Sequence, residues 1–327
     1  MKDGTVRVDQ PLFLISQAQR SGGTLLLRLL DGHPECHVVP FQLRGLDDAA
    51  KRPPSTLGEA WRLLWDPKLA HRYEEGHRQK KNAVLDDAET FSFELEPERQ
   101  RKIFDACAGA YADPTLRDLF DCYFTSYFNG WTDYANLEGE KRWLVGFEPG
   151  VARSLARRNA VRGIYPDGLV VSVVRDPWTW YASAKRWEPR WLEREAAIAH
   201  WRKVGAGTLK WRRQRGKQRR EVRVIRFESL LSETEETMRR IARWLGIEYR
   251  PELTQPTFNG RPIKANTSFA DVQSEVSTRP LARAHRELSK DDVDYIEATA
   301  GDLYRKLAKK AVNDWAKVED YGRGPAS

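Results

Sequence analysis

Gln17-Ala18-Gln19-Arg20-Ser21-Gly22-Gly23-Thr24 stands between an apolar run, Leu12-Phe13-Leu14-Ile15, and a leucine-rich stretch from Leu25 to Leu30. A strand, a glycine turn and a helix start in that order make an anion site. The first backbone N–H groups of a helix have no partner inside it, and the macrodipole adds partial positive charge there. Gly22 and Gly23 let the backbone come close to phosphate-like oxygens. Thr24 adds a hydroxyl, and Arg20 a permanent cation at the mouth. The chemistry implied is recognition of a phosphorylated or sulfated small molecule. In the nucleotide-hydrolase loop, G-x-x-x-x-G-K-[ST], a lysine directly precedes the hydroxyl residue. Here Gln17 stands at the first glycine, Gly23 at the lysine, and the basic residue has moved back to Arg20. A kinase or ATPase on this framework would lack its phosphate-bridging lysine.

A second segment repeats the logic. Leu169-Val170-Val171-Ser172-Val173-Val174 is a β-branched run, as expected of a strand buried on both faces. It ends at Arg175-Asp176-Pro177, where Asp176 suits an N-cap and Pro177 a first helical position. Arg175 then projects from the carboxyl end of a strand, where open α/β sheets bind ligands. Ser183 follows eight positions later in the expected helix.

Taken together, Gln19-Arg20-Ser21-Gly22-Gly23-Thr24-Leu25-Leu26 and Arg175 with Ser183 resemble the motifs of sulfotransferases that use 3'-phosphoadenosine 5'-phosphosulfate (PAPS). His33-Pro34, and Val224-Ile225-Arg226-Phe227-Glu228 before Leu230-Leu231, are similar too. The likeness spans 12–40, 142–184, 222–247 and, more loosely, 255–307; 41–140 finds no counterpart. The resemblance implies a P-loop-type three-layer α/β fold. It also implies a PAPS co-substrate, a PAP product and no metal. Arg20, Ser21, Gly22, Gly23, Thr24 and Leu25 would hold the 5'-phosphosulfate, and Arg175 and Ser183 the 3'-phosphate. Arg20 would also be catalytic, at the family's basic position. Relatives use a His or Glu as base. Some carry a Glu shortly after the His-Pro pair, where this chain has Pro40-Phe41-Gln42; others carry the base at a strand end before a proline, where Glu148 stands. Glu148 is the expected base and His37 the reserve. Arg261 and Lys264 are looser candidates for the cofactor. Two other functions remain open: a nucleotide-dependent kinase, and a non-catalytic module for PAP-like nucleotides or polyanions.

The elements that must position these residues alternate. Arg142 to Phe147 and Val222 to Phe227 read as further strands. Asp113-Pro114 opens a helix with Leu116, Leu119, Phe120, Tyr123, Phe124 and Tyr127 on one face, a spacing usual for core. Ser232 with Glu235 reads as a capping box, opening a helix with Met238, Ile241, Ala242 and Leu245 inward and Gly246 at its close. Ser289 begins another with Val293, Ile296, Ala300, Leu303 and Leu307 inward. A largely parallel sheet with helices on both sides is expected. The chain, 1–327, is taken as one domain, with 41–140 a mostly helical insertion forming the acceptor site. The resemblance implies a small-molecule or saccharide acceptor.

Net charge is +8, which favours an anionic ligand without naming it. Lys210, Arg212, Arg213, Arg215, Lys217, Arg219 and Arg220, preceded by Arg202 and Lys203 and interleaved with Trp201 and Trp211, could hold a polysaccharide or nucleic acid. Charge runs usually face water, and a solvated helix and loop is the reading preferred. Cys36, Cys107 and Cys122 are odd in number, with no metal-type spacing; no disulfide and a cytoplasmic setting are expected. No stretch reads as a signal peptide or membrane span.

Overall fold

Unbroken apolar runs become the strands of one sheet: β1 (Leu12–Ser16), β2 (Cys36–Gln42), β3 (Trp143–Phe147), β4 (Leu169–Val174) and β5 (Val222–Arg226). The computed structural model describes residues 4–43, 45–65, 77–78, 90–91, 93–213, 221–263, 276, 278, 281 and 286–315. The sheet order is β2-β3-β1-β4-β5, and every neighbouring pair is parallel. The chain leaves β1 towards one edge and later crosses to the other. The order therefore reverses at β1, and a ligand crevice opens at its carboxyl end.

Alternate residues of each strand feed opposite cores. Leu12 and Leu14, with Leu144 and Val170, enter a core shared with helices α4 (Pro97–Ala108), α5 (Leu116–Gly130), α6 (Leu155–Ile164), α7 (Pro177–Trp187) and α8 (Arg194–Arg212). Phe13 and Ile15, with Val145, Val171 and Ile225, enter a second core with α1 (Gly23–Leu30), α9 (Phe227–Ser232) and α10 (Thr234–Leu245). Two cores flanking one sheet make the expected three-layer α/β sandwich. Short helices α2 (Leu46–Lys51) and α3 (Leu57–Leu64) precede α4, and α11 (Lys290–Ile296) and α12 (Asp302–Trp315) end the described chain. Among the described residues no helix is long and apolar enough to cross a membrane.

Local signals held where the cap is intrinsic to the helix. Asp176 accepts from Thr179 N with Pro177 in the first turn, Ser289 forms a capping box with Asp292, and Gly246 closes α10 at φ 67°. Others moved. The helix expected from Asp113-Pro114 starts at Leu116, capped by Thr115 with Asp118. The Ser232–Glu235 box does not form. Ser232 lies in the last turn of α9, where its hydroxyl donates to Glu228 O (3.0 Å), and Glu233 takes the cap position. Val293 is 38% exposed rather than inward. A π-helical stretch, Glu297–Gly301, inserts between α11 and α12 and changes the phase of the buried stripe.

Cys107 and Cys122 are joined in a disulfide between α4 and α5, contrary to the expectation of none. These helices pack as a hairpin, bringing the two Cα atoms to 5.5 Å. Spacing along the chain could not show that. The aromatic residues of the α5 stripe are core, as their periodicity suggested: Phe120, Tyr123, Phe124 and Tyr127 are all buried. Trp201 and Trp211 are core as well, which removes them as stacking partners for a polyanion. Arg215, Lys217, Arg219 and Arg220 lie outside the described residues.

Candidate functional site

At the end of β1 the backbone turns sharply: Arg20 has φ 69° and Gly22 φ 92°, and Ser21 N donates to Ala18 O (3.2 Å). The first helical bond of α1 is Leu26 N to Gly22 O (3.1 Å). Gly22 offers no side-chain cap and the first turn holds no acidic residue. The early amides of α1 are thus left to a ligand. Gly22 is sterically required, by its positive φ and by a ring, whereas at Gly23 the neighbour is the end of a flexible side chain. A Cβ on Gly22 would lie 2.2 Å from the Phe227 ring, and one on Gly23 2.2 Å from the Gln17 amide.

Side chains of the adjacent strand and helix close on this turn. Arg175, 4% exposed at the end of β4, donates from Nε to Thr179 Oγ1 (3.0 Å) and from Nη1 to Arg20 O (3.3 Å). Its guanidinium lies over the Phe227 ring at 4.8 Å. Trp180 Nε1 donates to Gln19 O (2.6 Å), and the Arg20 guanidinium lies 4.3 Å from the Trp187 ring. Thr179, Ser183 and Trp187 recur every four residues and share one face of α7. Buried Ser183 therefore sits between the group that holds Arg175 and the ring that holds Arg20. Burial pushes Arg20 and Arg175 down to about 10, so both remain cations near neutrality.

The site contains polar atoms that protein does not satisfy. Ser16 Oγ, Gln17 Oε1, Ser21 Oγ and Arg175 Nη2 are buried without a hydrogen-bond partner among the described residues. Three of these, Ser16 Oγ, Ser21 Oγ and Arg175 Nη2, can donate, and an anionic ligand at the glycine turn would satisfy them; Gln17 Oε1 can only accept. Thr24 is exposed and Leu25 half-buried on the first turn of α1.

Glu148 follows β3, one strand from β1, with its N–H donating to Ile15 O (3.0 Å). It is buried, and its Oε1 lies 3.9 Å from Arg157 Nη1. Gly150 N donates to Gln17 O (2.8 Å), tying this strand end to the turn. Gln42 is exposed and paired in register with Phe147, next to Glu148. The reserve base fares otherwise. His37 is level with Leu144 and hence with Leu12, at the amino ends of the strands, roughly 13 Å from the turn at about 3.3 Å per residue. Burial against Phe128 and Tyr134 pushes it down to about 3. It belongs to the core. Arg261 is exposed on a hairpin (Thr257–Phe258 with Arg261–Pro262) seated against Asp31 and Gly32, at the far end of α1 from the turn. Lys264 lies outside the described residues.

Three further participants had no role assigned from the sequence, although Phe227 and Glu228 lie in a segment that carries the resemblance. Phe227 wedges between Gly22 and Arg175. Glu228 accepts from Asp176 N (2.9 Å) and fixes the turn after β4; burial, then the charge of Asp176, raises its carboxyl to about 7. His200 of α8 bonds Gln19 Oε1 through Nε2 (2.9 Å) and packs against Trp180 and Trp191.

Comparison with known proteins gives a consistent result. The family model described as "Sulfotransferase family" matches residues 11–251. The sulfotransferase domain of the Synechococcus PCC 7002 olefin synthase shares the fold at TM-score 0.51 and 16% identity, over 92% of this chain and 98% of that one. The sulfotransferase domain from the curacin biosynthetic pathway gives 0.45 at 17% identity, covering 96% and 98%. A sulfotransferase from Alicyclobacillus acidocaldarius gives 0.46 at 14%, covering 95% and 100%. No curated protein sequence matches significantly.

Proposed function

The chain belongs to the sulfotransferase family, and from that premise we propose that it transfers a sulfuryl group from PAPS to a hydroxyl or amine of a small-molecule or saccharide acceptor. The observation that carries this reading is the meeting of Arg175 with the glycine turn. Its Nη1 reaches Arg20 O while its Nη2 is left unsatisfied. One end of a 3',5'-bisphosphate fits the amides of Ser21 to Leu25. The other fits Arg175 and Ser183.

Sulfuryl transfer is in-line displacement, and the protein contributes position and charge. The acceptor oxygen or nitrogen forms the new bond to sulfur as the bond from sulfur to the bridging phosphate oxygen breaks. The electron pair leaves with PAP. Arg20, held over Trp187, neutralises charge on that bridging oxygen; a preorganised donor of this kind contributes on the order of 10²–10³ in rate. Glu148 accepts the acceptor proton. Its place at the end of the strand beside β1 suits that role. The chain acts as one domain, and 41–140 contributes to the acceptor site. The Cys107–Cys122 bridge removes the cysteine basis for a cytoplasmic setting.

Incubation with ³⁵S-labelled PAPS and a panel of hydroxyl and amine acceptors tests the reading. Label on an acceptor, with release of PAP, is the expected result. Mg²⁺-dependent ATP turnover instead would mean a kinase. PAP binding with no transfer to any acceptor would mean a binding module.

A further inference from the structure

Beyond Glu148 the chain enters a 3-10 turn, Val151–Arg153, tied to the glycine loop through Gly150 N and Gln17 O. Helix α8 lies directly on this turn: a Cβ on Gly207 would stand 1.9 Å from Ala152 O. His200, Lys203 and Gly207 are spaced by three and four residues, so they share the face of α8 turned to Arg153. His200 in turn touches Gln19, the residue before Arg20. Arg153, His200 and Lys203 therefore gather beside the glycine turn, with Arg153 five residues beyond the candidate base.

The charges here are unbalanced. Arg153 and Lys203 are exposed and carry no ion pair among the described residues. Of the nearby carboxylates, Glu188 is taken by Arg190, and Glu148 lies 3.9 Å from Arg157. Neighbouring arginines are neutralised, Arg186 by Glu287 and Arg194 by Asp291. After burial, the charges of Arg153, Arg190 and Lys203 press the His200 imidazole down to about 4, so they lie within electrostatic reach of it. Two large apolar side chains close by in the chain are exposed. Leu155 (57%) follows Arg153 by two residues, and Leu192 (61%) follows Trp191, whose ring is 4.7 Å from His200. Cations left unpaired beside an already cationic site favour an anion there.

We propose that the acceptor is a hydroxylated carboxylic acid with an apolar body. Its carboxylate is held between Arg153 and Lys203, its body lies along Leu155 and Leu192, and its hydroxyl is turned to Glu148. This rests on the sulfotransferase reading and narrows its acceptor class. PAPS brings its negative charge to Arg20 and Arg175, so the Arg153–Lys203 pair is available to a second anion.

The test compares matched acceptors that differ only in charge: 4-hydroxyphenylacetate with its amide, and 3-hydroxydecanoate with its amide. PAP binding, followed by calorimetry, reports separately on the cofactor site. The wild type should prefer each acid by tenfold or more in kcat/KM, through KM, and the preference should shrink as salt rises. In Arg153→Gln/Lys203→Gln the acid-to-amide ratio should fall to about one, and Lys203→Glu alone should reverse it. Equal use of acid and amide by the wild type, or a ratio unmoved by these substitutions, overturns the proposal and leaves the sulfotransferase reading standing. Intact PAP binding with neither acid bound or sulfated overturns it as well. Failure to bind PAP would bring down the sulfotransferase reading first.

Discussion

Replacing Arg175 by alanine should weaken PAP binding far more than binding of adenosine 5'-phosphate, which lacks the 3'-phosphate. Two of the guanidinium's contacts are internal, Nε to Thr179 Oγ1 and Nη1 to Arg20 O at a long 3.3 Å, while Nη2 is buried with no partner. Nη2 and the second Nη1 hydrogen can therefore make about two hydrogen bonds to a phosphate. Each such bond to a charged group contributes roughly 1.5–3 kcal/mol. The loss specific to PAP is then about 3–6 kcal/mol, or roughly 10²–10⁴ in Kd. Losing the contact to Arg20 O loosens the turn for both nucleotides, but by only about 1 kcal/mol. Arg175→Lys keeps the charge without the planar fork and should fall between. Titration calorimetry with both ligands, for wild type and both variants, reads the difference directly. If alanine weakened the two nucleotides equally, Arg175 would be a structural residue and the reasoning would be wrong.

Three further outcomes follow from particular contacts. Glu148→Gln should leave PAP affinity nearly intact and lower turnover by about 10²-fold, as loss of a general base does; unchanged kcat in steady-state assays removes the assignment. Gly22→Ala meets the Phe227 ring at 2.2 Å and keeps φ at 92°, so it should cost about 2–4 kcal/mol in chemical denaturation. Gly58→Ala, where a Cβ meets nothing nearer than 3.9 Å, should cost nothing, and equal effects would refute the packing argument. Glu228 has its folded pKa raised to about 7 from 4.5. Its contribution to stability is therefore full below about pH 4.5 and is lost as pH rises towards 7, by up to about 3 kcal/mol. Urea denaturation at pH 5 and 8 should show this fall in the wild type but not in Glu228→Gln; parallel pH profiles would contradict it.

The strand-to-helix turns of both candidate segments were legible because each is a local event. An apolar run ending at Ser16 or Val174, followed by Gly22-Gly23 or Asp176-Pro177, fixes a strand end and a helix start with no help from elsewhere. The alternation of strands and helices gave the layered sheet for the same reason. The residues that join the segments were not legible. Phe227 reaches Gly22, Trp187 reaches Arg20 and His200 reaches Gln19 across more than 150 positions of chain, and only the sheet order brings them together. The Cys107–Cys122 bridge depends likewise on how α4 lies against α5. His37 misled because its type suits a base, whereas its register places it among aromatic rings at the wrong end of β2. Ser232 misled because two helices meet where one was expected, so its hydroxyl serves the end of the first.

The most direct measurement is a crystal structure of the chain with PAP. The 5'-phosphate should lie on the amides of Ser21 to Leu25, and the 3'-phosphate within hydrogen-bonding distance of Arg175 Nη2 and Ser183. PAP bound elsewhere, or a 3'-phosphate remote from residue 175, would contradict the account.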